Sequence, residues 1–273
     1  MKLVFSLLLS LLFILPVPAA NGPAVADDSP EMVRRTFSVE DFNAIVSGNR
    51  IRVVYTPTSG RVKVTADVAE EFLPDLNVQV TNGVLCLNLQ KRKRWKNNTG
   101  SVLAVIYVNG PVVRRLEANS GSQVEVRQTL ETASLEVVVS SGGTMDVPAF
   151  DVTDLKLDVS SGGRADFGDL HCKTLSADVS SGGRLFVRQL KQGGALRFDM
   201  NSGGRATFSD ELSAEHLALD VSSGARLLME RLTCDEVTGS VSSGGRIECA
   251  DTRADVVDVS CSSKGRATWG KEH

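Results

Sequence analysis

The 273-residue chain is poor in the residue types that build many catalytic and metal sites. It has only three histidines, and His171 and His216 lie near no repeated nucleophile. Its five cysteines are odd in number and share no short metal-ligand spacing. The length and the 42% apolar content allow a real core, so the chain is not a small disulfide-stapled scaffold. A formal net charge of -3 gives no support for nucleic-acid binding. We therefore predict no metal, no cofactor and no nucleic-acid partner.

Long apolar runs are scarce, and the longest opens the chain. Lys2 is followed by an apolar run through Leu15 and then by prolines and small residues, which is typical of a secretory signal. The run is shorter than the roughly 20 residues that span a bilayer. We predict that residues 1–26 are a cleaved signal peptide, although Ala19 also fits a cleavage site. The protein is then exported to the periplasm, the cell surface or the medium, with no membrane span in the mature chain.

One repeat of about twenty residues dominates the rest of the chain. In the copy that starts at Leu155, apolar residues at the first, third and fifth places alternate with polar ones, which indicates a strand with one buried face. Ser-Ser-Gly-Gly follows at 160–163, and then a second alternating pair, Ala165 and Phe167. Leu170 adds a third inward side chain. The copies begin at Leu135, Leu155, Leu175, Leu196, Leu217, Val237 and Val257.

This repeat predicts an all-β fold, a right-handed parallel β-helix. A single coil cannot bury its apolar side, so coils must stack in register about 4.8 Å apart. Ser-Ser-Gly-Gly in mid-repeat disfavours helical repeats, and parallel crossovers are almost always right-handed. The last copy has Lys264 at a turn-glycine position and brings in Trp269, which is typical of a terminal cap.

The chain before the repeats is predicted to be an irregular N-terminal β cap. Residues 34–113 alternate like strands without the twenty-residue period, and turn signals stand at 58–60 and 81–83. Hairpins and loops are favoured there over coils. We assign residues 34–113 to a β region packing on the solenoid, and residues 114–273 to the β-helix repeats.

Several blocks occur in an order that resembles a known family. They are "FSVEDFNAIVSGNRIRVVY", "VTADVAEEFLPDLNVQVTNGVLCLNL", "VIYVNGPVVRRLEANSGSQVEV" and the serial "SSGGR" coils. The order is similar to that of the bacterial head GIN domain family, labelled putative auto-transporter adhesin, from about Phe37 onward. The resemblance implies an exported protein with a β-helical body and a role in adhesion. It carries over no catalytic residues.

An arginine follows the turn in six copies and forms the candidate binding site. In a stack of coils these side chains line up at rung spacing, where like charges repel. A column of aspartates on the preceding strand, Asp158, Asp178, Asp199 and Asp220, could offset that charge. Two interpretations remain: a solvated, partly balanced column, or a comb for sulfated or carboxylated polysaccharide. The six residues are Arg164, Arg184, Arg205, Arg226, Arg246 and Arg266.

The other candidates are weaker. The basic segment 91–98, "KRKRWKNN", is typical of a solvated hairpin loop but could bind anionic polymers. Asp146 and Asp166, in neighbouring coils, are the one carboxylate pair with a spacing that glycoside hydrolysis could use. Cys172 and Cys234 are predicted to lie too far apart for a disulfide. Cys249 and Cys261 occupy apolar positions and are predicted to pack as small hydrophobes.

The sequence favours a non-enzymatic, adhesin-like interaction module. Its partner is predicted to be an acidic glycan or an envelope or host surface protein. Two alternatives remain open: a polysaccharide-active enzyme on a β-helix, since such folds host lyases and hydrolases, and a purely structural envelope scaffold.

Overall fold

The computed structural model describes residues 32–90 and 102–271. The predicted signal peptide, residues 1–26, and the basic segment 91–98 lie outside the described residues. One 3-10 helix, Glu70–Asp75, is present in the described part of the chain. The strands are β1 (Met32–Phe37), β2 (Ala44–Gly48), β3 (Ile51–Pro57), β4 (Lys63–Ala69), β5 (Leu76–Thr81), β6 (Val84–Leu89), β7 (Ala104–Gly110), β8 (Arg115–Ala118), β9 (Gln123–Val126), β10 (Leu130–Val139), β11 (Thr144–Val159), β12 (Arg164–Val179), β13 (Arg184–Met200), β14 (Arg205–Val221), β15 (Arg226–Val241), β16 (Arg246–Cys261) and β17 (Arg266–Lys271).

From β10 onward each strand pairs in parallel with the next, one repeat further along the chain. Leu155 of β11 lies directly beside Leu135 of β10 and Leu175 of β12. The same file continues through Leu196, Leu217, Val237 and Val257. Matching residues of successive copies therefore stack, and the fold is a parallel β-solenoid of about 8 turns with coils of about 20 residues. The predicted all-β β-helix is confirmed.

Each coil has three faces, which are visible in the burial pattern of β12. Buried residues alternate with exposed ones except at two places, where the interval between buried residues grows from two to three: Phe167 to Leu170, and Cys172 to Leu175. Those breaks are the corners of the coil. We call the sheet at 155–159 and its equivalents face A, that at 164–167 face B, and that at 169–172 face C.

The Ser-Ser-Gly-Gly turn joins face A to face B and repeats with little change. Ser161 and Gly162 both have positive φ, 48° and 73°. The N–H of Gly162 donates to the carbonyl oxygen of Ser181 in the next coil at 3.2 Å, so the turns hydrogen-bond along the stack. Gly163 is needed for a different reason, because a Cβ there would lie 2.3 Å from the carbonyl oxygen of Val139.

The core runs along the solenoid axis as continuous files of apolar side chains. Aromatic rings from different faces meet inside it: Phe150 and Phe167 pack edge to face with centroids 4.9 Å apart, and Phe198 and Phe208 do the same at 5.5 Å. All four rings are at most 2% exposed. The interior is therefore filled and offers no internal binding channel in the described residues.

The segment before the repeats contributes coils of its own, stacked out of chain order. β2 pairs in parallel with both β6 and β8, and β3 pairs in parallel with both β7 and β9. The coil β2–β3 thus lies between β6–β7 and β8–β9. The expected hairpins are confirmed only in part: β5 and β6 form one through Asn82 and Gly83, and β4 lies antiparallel to β1 and β7.

The expectation of hairpins was wrong for β2 and β3. Their coil turns at Asn49 and Arg50, both with positive φ (57° and 62°), as in the Ser-Ser-Gly-Gly turns. Neither position is a glycine, and the next coil in the stack, β8–β9, is 71 residues further along the chain, as in the pair Ala44 and Arg115. The repeat was hidden because both its turn residues and its sequence spacing differ from the later copies.

Candidate functional site: the arginine ladder of face B

The six predicted arginines form one continuous column at the first position of face B. Each is the direct register partner of the next, from Arg164 to Arg266. All six are exposed. At the rung spacing of a parallel sheet, the column is about 24 Å long. We call these residues, Arg164, Arg184, Arg205, Arg226, Arg246 and Arg266, the arginine ladder.

Five rungs of the ladder carry no counter-charge in the described part of the chain. Arg164 is the exception: its Nε and Nη2 donate to the two carboxylate oxygens of Asp166 at 2.6 and 2.8 Å. The guanidinium groups of the other five make no hydrogen bond or ion pair with any described residue. Unit charges about 5 Å apart in water repel by about 1 kcal/mol. Five of the six ladder guanidinium groups therefore lack an ion-pair partner among the described residues, and an anion would stabilise them.

Apolar side chains lie beside the middle of the ladder, in the next outward column of face B. Phe186 is 39% exposed and Leu228 is 38% exposed, with Thr207 between them in register. Phe186, Arg184 and Arg205 border a shallow hollow. These residues were not predicted from the sequence. A signal was present, because Phe186 occupies the outward position that is Asp166 one coil earlier, so an apolar residue replaces a charged one there.

The aspartate column lies on face A but does not pair with the ladder. Asp158, Asp178, Asp199 and Asp220 are direct register partners, as predicted. No ion pair joins them to ladder arginines among the described residues; Arg197, on face A itself, contacts Asp199 at 3.7 Å. Burial raises the pKa of Asp178, and the neighbouring carboxylates of the column raise it further. The two columns are thus separate charged strips, and the expected balancing of one by the other is wrong.

The N-terminal end of face B is acidic instead. Asp146 and Asp166 are direct partners in neighbouring coils, as the sequence indicated. Glu125 precedes them in the same column and is paired with Arg52 and Arg127. Burial raises the pKa of Asp146, with further contributions from Asp166 and Glu125. Face B therefore changes along its length, from arginine-paired carboxylates to uncompensated arginines.

The cysteines are all free thiols. Burial raises the pKa of Cys172 to about 12, so this thiol stays protonated and unreactive at neutral pH. Cys249 is 4% exposed, which confirms its predicted packing role. Cys261 is exposed, and its predicted packing is wrong because β17 does not extend over that part of β16. The described residues contain no group of three His, Cys, Asp or Glu able to hold a metal ion.

The sequence and fold were compared with known proteins. The family model described as "Putative auto-transporter adhesin, head GIN domain" matches residues 41–195, more than half of the chain. The chain belongs to the head GIN domain family. The matched span includes the β2–β3 coil and the first three full repeats. The comparison with curated proteins found no match.

Several solved bacterial structures share the fold of this head GIN domain protein. A putative adhesin from Parabacteroides merdae has 16% identity and a TM-score of 0.71, and the match covers 90% of this chain and 98% of that one. One from Parabacteroides distasonis has 16% identity and a TM-score of 0.72, covering 88% and 98%. A putative lipid binding protein from Parabacteroides distasonis has 15% identity and a TM-score of 0.65, covering 90% and 98%.

The family description is that of an adhesin-like domain, which implies an exported or surface protein that meets a surface partner. In the described ranges, no helix is long and apolar enough to cross a membrane. Neither comparison assigns a role to individual residues.

Proposed function

We propose that this protein is an exported, non-enzymatic interaction module whose arginine ladder binds acidic polysaccharide. The observation that carries the proposal is the run of exposed arginines on successive coils, five of them without a counter-charge among the described residues. A guanidinium can hold a sulfate or carboxylate through two parallel hydrogen bonds. A polymer with regularly spaced anions can engage several rungs at once, which raises its affinity over that of any one group.

The apolar residues beside the ladder favour a polysaccharide over other polyanions. Sugar rings have an apolar C–H face, and Phe186 and Leu228 offer exposed apolar surface next to the guanidinium groups. The spacing of rungs, about 4.8 Å, is comparable to the length of one sugar residue in an extended chain. A polyphosphate lacks the apolar face, so Phe186 is expected to distinguish the two classes of polymer.

The test is binding of a sulfated glycosaminoglycan to the triple variant Arg184→Ser, Arg205→Ser and Arg226→Ser. Losing three exposed charge contacts of about 0.5–1 kcal/mol each is expected to weaken Kd by at least about tenfold at low salt. Raising the salt should weaken wild-type binding more than that of the variant, because surface charge interactions are screened. Titration calorimetry at two salt concentrations measures both effects.

The matched control removes the same charge elsewhere. Lys173, Lys191 and Arg197 are exposed and lie outside the ladder, so replacing all three by serine changes the net charge equally. This control is expected to retain nearly wild-type Kd, and equal weakening in both triple variants would contradict the proposal.

Phe186→Ser should weaken glycosaminoglycan binding about threefold to tenfold and leave polyphosphate binding unchanged.

A further inference from the structure

The forward end of the solenoid, toward the last coil, exposes positions that form the core in every earlier coil. Val257 of β16 is 41% exposed, whereas its register partner Val237 is 0% exposed. Cys261 is exposed, whereas its partner Val241 is 0% exposed. β17 pairs with β16 only as far as Thr252. Within residues 32–90 and 102–271, no strand lies against the forward edge of residues 253–261.

The backbone groups at this edge can be assigned from the preceding coils. The N–H of Ser262 donates to the carbonyl oxygen of Val241, so Val241 directs its backbone groups forward, toward β16. In a parallel sheet, alternate residues direct both N–H and C=O to the same neighbour. The equivalents of Val241 and its alternate neighbours in the last coil are Cys261, Val259 and Val257. Their N–H and C=O groups therefore point out of the open edge.

The opposite end of the solenoid is finished differently. β5 lies antiparallel to β6 at that end of face A, and its apolar residues Leu76, Val78 and Val80 are all partly buried against the core. β1 brings the charged pair Arg34–Asp67, joined at 2.6 Å, to the end of face B. Charges and reversed strands are common devices for blunting an edge. The forward end of face A carries the single outward charge of Asp258 and, in the described part of the chain, no reversed strand.

We propose that this edge pairs with the same edge of a second copy. The two β16 strands run antiparallel, with Val259 opposite Val259 across a twofold axis and Val257 opposite Cys261. Each of these opposed pairs has its free N–H and C=O groups facing the partner, so each exchanges two hydrogen bonds. The inward apolar residues of both copies then continue one core across the joint.

The charges on the outer surface are compatible with this register and with a second copy as the partner. With Val259 on the axis, Asp258 lies opposite Ser260 on the outer surface, and no like charges meet. A register centred on Asp258 would put two carboxylates opposite each other, which destabilises strand pairing. The edge is thus complementary to itself, and twofold dimers are the commonest form of protein self-association.

Disulfide trapping tests the register. Val257→Cys places a thiol opposite the native Cys261 of the partner, with a Cα separation of about 5.5 Å that suits a disulfide. Mild oxidation is expected to convert most of this variant to a covalent dimer on non-reducing gels. The wild-type protein and the control Val256→Cys, whose residue is exposed at the corner, should stay uncross-linked. Cross-linking of the control to the same extent, or none in Val257→Cys, would overturn the register.

Sedimentation tests the pairing without relying on cross-links. The wild-type protein is expected to sediment as a dimer at micromolar concentration, and Val259→Arg, which opposes two charges on the axis, as a monomer with an unchanged circular dichroism spectrum. Val256→Arg adds the same charge outside the paired residues and should remain dimeric. A wild-type protein that stays monomeric to about 100 µM, equivalent to a binding free energy weaker than roughly 5.5 kcal/mol, would refute the proposal.

Discussion

At the residue scale, the turn between faces A and B shows that neighbouring glycines can be required for different physical reasons. Gly162 and Gly163 are adjacent and both needed, the first for its positive φ and the second because of a close carbonyl. A β-carbon at the first position meets nothing within 4 Å in six coils. Only backbone strain opposes a side chain there, and in the last coil that position is Lys264, with φ 68°.

Lys264→Gly is expected to stabilise the protein. A left-handed backbone costs a residue with a Cβ roughly 1 kcal/mol relative to glycine, and the side chain of Lys264 is exposed. The free energy of unfolding should rise by about 1 kcal/mol, measured by urea denaturation. The reverse change one coil earlier, Gly244→Ala, should lower it by a similar amount, since Gly244 has φ 75° and open space around it. A loss of stability in Lys264→Gly would show that the lysine makes a contact that outweighs the strain.

At this scale, the sequence predicted which side chains are neighbours only where the repeat is regular. The column of arginines follows from their common place in each copy. Their lack of ion-pair partners does not follow from it, because an arginine side chain can reach several residues and geometry decides which one it contacts. Arg164, for example, binds Asp166 rather than the aspartate column. The exposed ring of Phe186 became meaningful only when the structure placed it beside the ladder, where it borders a hollow with Arg184 and Arg205.

At the element scale, face A concentrates acidic side chains that the parallel register stacks. Four aspartates occupy successive rungs, and the central Asp178 has a pKa raised by burial and by its neighbours Asp158 and Asp199. Because the folded-state pKa lies above the ordinary value, the native state binds a proton more readily than the unfolded chain does. Ionised Asp178 therefore destabilises the fold at neutral pH, and that effect disappears as pH falls through the raised pKa.

Asp178→Asn is expected to increase stability by about 0.5 kcal/mol at pH 7, a value kept small because the side chain is largely solvated. The gain should shrink as pH falls toward the raised pKa of Asp178 and vanish below the ordinary aspartate range. Urea denaturation from pH 7 down to pH 4 follows this change. Asp151→Asn on face C, between Glu131 and His171 in its column, serves as the control and should have little effect. A gain that grows as the pH is lowered would contradict the repulsion argument.

Strand pairing at this scale was predictable where the partner is one repeat away or is joined by a tight turn. The alternation in β2 and β3 marks them as strands, and nothing in their spacing points to β8 and β9 as partners some 70 residues later. Antiparallel pairing of β5 with β6 followed from the two-residue turn at 82–83. Local signals thus decided the hairpin, and contacts distant in sequence decided the coil.

At the scale of the whole molecule, stability is the sum of coils and the contacts between neighbouring coils. Such a solenoid tolerates the removal of a complete coil but not of a fraction of one. Residues Arg226–Gly245 are one period, and their neighbours Arg205 and Arg246 occupy the same register position. Removing them brings β14 against β16 with every apolar file intact.

Deletion of residues 226–245 is therefore expected to yield a folded protein with a β-sheet circular dichroism spectrum and one cooperative thermal transition. The melting temperature should fall by several degrees, since one coil interface is lost. Deleting only residues 226–235 removes half a coil, which puts face A residues on face B and the Ser-Ser-Gly-Gly turn within face C, and should abolish the cooperative transition. Equal behaviour of the two deletions would contradict a stack in which register is set by whole coils.

By itself, the sequence determined the solenoid, its period, the stacked columns and the site of the arginine ladder, because each depends on residues that recur at one interval along the chain. The tertiary structure decided the features that a fixed repeat interval along the chain cannot encode. It placed β2–β3 inside the stack, left five ladder arginines without a counter-charge in the described residues, and left the forward edge of β16 uncovered. These features depend on which segments, distant in sequence, come into contact, and the free energy of each contact is set by both of its surfaces together.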